Sequence, residues 1–205
     1  MLLGGLALSD IVTLIVVLVI SVVIHEFMHG LVAYKLGDTT AHDQGRLSFN
    51  PLQHIDPFMS IVLPAITLLI FHVPLLAAKP VPFNPARLKF GDYGAAMVAA
   101  AGPISNLLLA VLAALLWHLA PSDSLVSHVL VQFAELNVLL AVFNLVPIPP
   151  LDGSRVVYAF APDFVRNIFD QIEPFGFFLI FILVLNGGFG NVLERIDQLV
   201  LNLLP

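Results

Sequence analysis

The chain has 205 residues, 59% of them hydrophobic and only 11% charged, with a mean hydropathy of +0.99 and a formal net charge of −6. Soluble domains carry about 25% charged residues, so this composition describes an integral membrane protein. The few charges form no basic run, which leaves nucleic-acid binding without support. The lack of cysteine removes disulfides and thiolate ligands, so histidine and carboxylate are the metal-binding side chains.

In chain order, Ser9-Asp10 reads as an N-cap before a first span over residues 11–34, long enough for a tilted transmembrane helix. No basic region of a cleavable signal peptide precedes it. The span carries Ile24-His25-Glu26-Phe27-Met28-His29-Gly30. On a helix His25 and His29 share one face, about 6 Å apart along the axis. That spacing brings two imidazoles to one metal ion and leaves Glu26, on the adjacent face, in reach of a water there. Zinc is the default ion for two histidines plus a carboxylate. The plainer reading is a pair of interior histidines bonded to neighbouring helices. It is the weaker one here, because ionisable groups within a span are costly and usually functional. A third ligand is required.

Residues 35–57 are polar and read as a loop, in which His42 and His54 suit loop ordering better than ligation. Residues 58–78 are apolar and about one span long but broken by Pro64 and Pro74, so they either cross or dip in and return. The following Lys79, Pro80, Val81, Pro82, Phe83 and Asn84, closed by Pro85, cannot form a helix interior. They predict an extended segment, tolerated at membrane depth only where it lines a protein cavity.

Residues 93–119 form the next span, with Gly102-Pro103-Ile104-Ser105-Asn106 near its middle. Its small residues let another helix approach, and Asn106 supplies a polar group. Residues 125–146 form another span, with Glu135 and Asn137 near its start. It runs into Asn144-Leu145-Val146-Pro147-Ile148-Pro149-Pro150-Leu151-Asp152-Gly153, where the prolines stop the helix. Asp152 has two readings, a cap for a helix beginning near Ser154 and the missing third ligand. Beside an intramembrane HExxH it is the best ligand candidate in the chain. Residues 154–172 are amphipathic and suggest an interfacial helix; 175–186 are apolar but short for a span, and 192–203 suggest a surface-lying C-terminal helix.

Two constraints favour a re-entrant 58–78. A single crossing would place Asp152 on the side opposite the histidines, whereas metal ligands must meet within about 2.0–2.2 Å of one ion. Re-entry also puts Lys35, Arg46, Lys79, Arg87, Lys89, Arg155 and Arg166 on one side, with Arg195 alone opposite. The positive-inside rule makes that side cytoplasmic, with the metal site toward it and the N-terminus external.

The chain resembles the site-2 protease family of zinc intramembrane metalloproteases over nearly its whole length. His25-Glu26-Phe27-Met28-His29 matches its HExxH, and Asn144 through Gly153 its NxxPxPxLDG-type element. Gly102 to Asn106 matches its GPxxN stretch, and Asn50-Pro51 with His54-Ile55-Asp56-Pro57 matches the loop of small prokaryotic members. The resemblance implies one zinc per chain held by His25, His29 and Asp152, Glu26 as catalytic base, and Asn144 holding substrate or stabilising the oxyanion. It implies that residues 79–84 are a membrane-re-entrant β-loop that pairs with unwound substrate, and Asn106 is placed with these substrate-binding residues. The expected architecture is an all-α polytopic membrane protein with about four transmembrane helices, the re-entrant loop and interfacial helices. A single intramembrane metalloprotease domain is expected over 1–205, with core 11–157 and C-terminal helices 158–205, and no PDZ or CBS domain. The implied partners are the lipid bilayer of a prokaryotic cell and a transmembrane protein or peptide substrate: an anchored transcription-factor precursor, an anti-sigma factor or a leftover signal peptide. Self-association is left open. The rival readings are a membrane metal-ion transporter, which calls for more spans and repeats, and a zinc-binding pseudoprotease, against which Glu26 is retained.

Overall fold

The computed structural model describes residues 8–56, 62, 67, 79–122, 124–185, 195 and 198. Among them there is no strand, and three helices are long and apolar enough to cross a membrane. The helices are α1 (Leu8–Lys35), α2 (Thr40–Asp43), α3 (Gly91–Trp117), α4 (Leu125–Leu145), α5 (Asp152–Phe160), α6 (Asp163–Ile172) and α7 (Gly176–Leu185). The expected spans at 11–34, 93–119 and 125–146 correspond to α1, α3 and α4.

Helix α1 already includes Leu8, so Ser9 and Asp10 lie in its first turn rather than capping it. Asp10 and Lys35 sit at the ends where the helix dipole favours their charges. The helix stops at Gly37, whose φ of +105° is a backbone region glycine enters without a Cβ clash. There Gly37 N–H bonds the Tyr34 carbonyl at 3.1 Å and Asp38 N–H the Ala33 carbonyl at 3.0 Å, the paired bonds of a Schellman stop. The predicted loop over 35–57 contains one more turn of helix than expected, α2.

Helix α3 is the centre of the bundle and packs against α1, α4 and α5. Most of its alanines and glycines from Gly94 through Ala114 are buried, because side chains this small let three neighbouring backbones approach. Pro103 stands inside the helix; it has no N–H to return to the Ala99 carbonyl, which loosens the ladder at that turn. Trp117 Nε1 donates to Ser127 Oγ at 2.8 Å and ties the end of α3 to the start of α4, where Ser124 Oγ caps by accepting from Ser127 N–H. The 146–151 turn then returns the chain to α3 through α5. Gly153 is needed there, since a Cβ would overlap the Leu145 carbonyl at the end of α4. The amphipathic stretch expected over 154–172 is two helices, broken at Pro162. α5 buries Gly153, Ser154 and Ala159, and α6 buries nothing and leaves Phe164 and Ile168 exposed.

Residues 79–84 make no sheet pairing but are tied at alternate points. Lys79 N–H donates to the His54 carbonyl at 3.0 Å, and Asn84 N–H to Asp38 Oδ2 at 2.6 Å. Lys89 N–H bonds the Leu36 carbonyl at 2.9 Å, so the start of α3 lies beside the end of α1. The expectations for 58–78 and for 186–205 fall outside the described residues, apart from Val62, Thr67, Arg195 and Gln198.

Candidate metal centre

His25 and His29 project from consecutive turns of α1, and Asp152 enters opposite them from the first turn of α5. His25 Nε2 and His29 Nε2 are 3.0 Å apart, and Asp152 Oδ2 lies 3.2 and 3.3 Å from them. Tetrahedral zinc with bonds of about 2.0–2.2 Å spaces its ligand atoms about 3.3–3.6 Å apart, so the triangle is close to the required size. His25, Glu26 and His29 are 7%, 9% and 8% exposed, shielded from bulk water.

The outer nitrogens determine what the inner ones present. His29 Nδ1 donates to the Val98 carbonyl at 2.7 Å, an atom that only accepts. His25 Nδ1 faces Asn106 Oδ1 at 2.5 Å. Both protons therefore sit on Nδ1, and both Nε2 lone pairs point at a carboxylate oxygen, Asp152 Oδ2, that is itself buried without a hydrogen-bond donor. Three buried lone-pair atoms facing one another at about 3 Å repel unless a cation stands among them. The group fits zinc. It is the one cluster of three histidine or acidic side chains with this convergence among the described residues.

Gly102 of α3 supplies the room. A Cβ there would lie 2.5 Å from both Nε2 atoms. Asp152 is not a helix cap: it is the first residue of α5, whose N-cap is Leu151, and no side-chain capping bond forms. Its carboxylate is directed at the histidines instead.

Glu26 leaves the ligand face and meets the 79–84 segment, where its Oε2 accepts from Val81 N–H at 2.8 Å. That contact was missed in the sequence because a backbone N–H carries no residue signature. Asn144 donates to the Leu140 carbonyl, one turn back on its own helix, at 2.9 Å. Asn106, expected among the substrate-binding residues, is fully buried behind His25, and both ends of its carboxamide are engaged inside the bundle. Of the expected binding stretch, Val81 is buried, Pro82 and Phe83 are half-buried, and Lys79, Pro80 and Asn84 are exposed. His42 and His54 lie apart from the triangle; His54 is buried and bonds the Ser48 carbonyl at 2.8 Å.

The chain is similar to known proteins over most of its length. The model for peptidase family M50 matches residues 118–186, the portion that contains Asp152. The chain is 38% identical over 179 residues to the Bacillus subtilis (strain 168) protein "Putative zinc metalloprotease YwhC", covering 83% of this chain and 78% of that one. It is 27% identical to "Putative zinc metalloprotease Rip2" of Mycolicibacterium smegmatis, covering 80% of this chain and 63% of that one. It is 30% identical to "Putative zinc metalloprotease MJ0611" of Methanocaldococcus jannaschii, covering 66% of this chain and 63% of that one. The chain thus spans less than two thirds of the length of these last two relatives. No solved structure matches it. A group of two buried histidines and one half-buried aspartate that fits zinc, beside a glutamate on the same helix as the histidines, stands in a chain that matches these proteins across most of its length: the chain belongs to peptidase family M50, the site-2 family of metalloproteases.

Proposed function

We propose that the protein is an intramembrane zinc endopeptidase that hydrolyses peptide bonds within or near transmembrane segments of membrane-anchored substrates. The observation that carries this reading is the convergence of His25 Nε2, His29 Nε2 and Asp152 Oδ2 beside Glu26, on a helix apolar enough to span a bilayer. His25, His29 and Asp152 are the zinc ligands. Zinc, when bound, supplies Lewis acidity toward a peptide carbonyl and toward water. Glu26 takes the proton of the attacking water and returns it to the leaving amine. Val81 N–H holds the Glu26 carboxylate by one oxygen. Asn144 is assigned to the developing oxyanion; its amino group spends one N–H on the Leu140 carbonyl and has a second to donate.

The substrate is a transmembrane segment that unwinds locally and lies along residues 79–84. The donors of that stretch are largely committed. Lys79, Val81 and Asn84 bond to His54, Glu26 and Asp38, and Pro80 and Pro82 have no N–H. An added substrate strand is therefore held chiefly through its own N–H groups on this segment's carbonyls.

The proposal includes one metalloprotease domain, with four spans completed through α7 and a re-entrant 58–78. The His54–Lys79 bond supports re-entry, because residues at the two ends of a single crossing stand about 30 Å apart. The Leu36–Lys89 contact supports it too. The metal site then lies toward the cytoplasmic face of a prokaryotic cell membrane, on the side of Lys35, Arg87 and Arg155.

The test is zinc content together with cleavage of a transmembrane substrate in detergent, for the parent and Glu26→Gln. One zinc in both, with cleavage lowered about 10²–10⁴-fold in the variant, is the expected result. Full cleavage by Glu26→Gln removes Glu26 as the base. Absence of tightly held metal in the parent overturns the protease reading and favours an ion-permeation protein.

A further inference from the structure

Behind His25 a line of buried polar side chains crosses from α1 to α4 to α3, and the proposed mechanism does not use it. Ser21, Asn106 and Asn137 are each 0% exposed. Asn137 Nδ2 donates to the Phe133 carbonyl at 2.8 Å and to Ser21 Oγ at 2.8 Å. Ser21 Oγ spends its own proton on the Val17 carbonyl at 2.8 Å. Asn137 Oδ1 accepts from Asn106 Nδ2 at 2.7 Å, and Asn106 Oδ1 meets His25 Nδ1 at 2.5 Å.

The polarity of this line is forced from its far end. The Phe133 and Val17 carbonyls only accept, so the hydroxyl of Ser21 points away from Asn137 and the Asn137 amino group must face both Ser21 and Phe133. The Asn137 oxygen then faces Asn106, which turns the Asn106 amino group toward it and the Asn106 oxygen toward His25. An oxygen at His25 Nδ1 keeps the proton there and leaves Nε2 with its lone pair directed at Asp152. A half-turn of the Asn106 amide would present N–H to Nδ1, move the proton to Nε2 and close that nitrogen to a metal. The remaining hold on the Asn106 amino group is the Ser21 carbonyl at 3.5 Å, at the limit of a hydrogen bond.

We infer that Asn137, with Ser21, is a positioning residue for zinc: it sets which end of the Asn106 amide faces His25, and through it the His25 tautomer. The inference rests on the reading of His25 as a ligand and adds residues on α4 and on the first half of α1 that touch neither metal nor substrate. A packing role and an orienting role make different predictions, because a carboxylate at position 106 has no wrong way round. Either of its oxygens accepts from His25 Nδ1–H, so Asn106→Asp makes the tautomer independent of Asn137.

The experiment is zinc affinity of the full chain in detergent, by competition with a chelator of known affinity, with helicity followed by circular dichroism. Asn137→Leu is expected to weaken zinc about 10–100-fold. Adding Asn106→Asp to Asn137→Leu is expected to restore the parent affinity. Should Asn137→Leu fail to fold, Ser21→Ala takes its place. It removes only the hydroxyl that accepts from Asn137, with a loss of about fivefold that Ser21→Thr, which keeps the hydroxyl, does not show. A parent that binds zinc while the folded position-137 or position-21 variant matches it overturns the inference. So does a loss that Asn106→Asp leaves uncorrected. A parent without zinc would instead strike at the metalloprotease reading, before either variant is compared.

Discussion

The two sides of the metal centre are built in different ways. His25 and His29 come from one uninterrupted helix, and their separation follows from the helical repeat alone. Asp152 reaches the same point from α5, after a turn in which Pro147, Pro149 and Pro150 stop α4 and redirect the chain. Its placement depends on α5 packing against α3, and on Gly153 letting the first turn of α5 rest on the end of α4. Half of the site is thus set by residues one turn apart, and the other half by contacts between residues far apart in sequence. The helix-borne half is robust to distant changes, whereas the half delivered by the turn is only as well placed as the packing beneath it.

The largest expected effect tests the delivered half directly. Asp152→Ala removes a proposed ligand and should weaken zinc by more than the roughly 100-fold upper range of outer-contact changes, measured by chelator competition. Unchanged affinity would show that the α1 histidines suffice and remove Asp152 from the ligand set. Next, Gly102→Ala inserts a methyl group 2.5 Å from both Nε2 atoms. Zinc affinity should fall about 10–100-fold. Helicity should be unimpaired, since alanine is favoured over glycine in a helix by about 1 kcal/mol. Retained affinity would mean that α3 backs away from α1, making the histidine side more compliant than the geometry indicates.

The smallest effect concerns how the 79–84 segment is tied to the turn that follows α1. Asp38 accepts from Asn84 N–H and from the backbone and hydroxyl of Thr40. Asp38→Ala leaves those donors unpaired and should cost about 1–3 kcal/mol, read as a lower thermal midpoint at neutral pH. Burial pushes the Asp38 carboxyl up, but the Thr40 and Asn84 donors outweigh it and hold it below its ordinary value of 3.8. A depressed carboxylate contributes stability that is present above the ordinary value and lost as pH falls through the folded one. The gap between parent and Asp38→Ala should therefore close in acid and stay constant near neutrality. A gap that widens in acid would reverse that assignment.

By itself the sequence determined the spans at α1, α3 and α4, marked the two histidines with Glu26, and offered Asp152 as the best candidate carboxylate to join them. Long apolar runs, an i, i+4 pair and a proline-broken turn are all local patterns, legible wherever they occur. Asn106 shows the limit of such reading. Its motif marked it as important, but a polar residue in a span gives no sign of whether it faces a substrate or a neighbouring helix. Only the packing of α1, α3 and α4 placed it behind His25. Asn137 was visible only as a polar residue near the start of its span, beside Glu135, yet its link to a residue 116 positions away, Ser21, exists only once three helices are docked. The contacts that orient His29 and Glu26 come from the Val98 carbonyl and the Val81 N–H, backbone groups that every non-proline residue carries. Side-chain identity selects the chemistry of this site. The tertiary structure decided which lone pairs face inward, because hydrogen-bond direction is a property of the assembled neighbours and is written in no single residue.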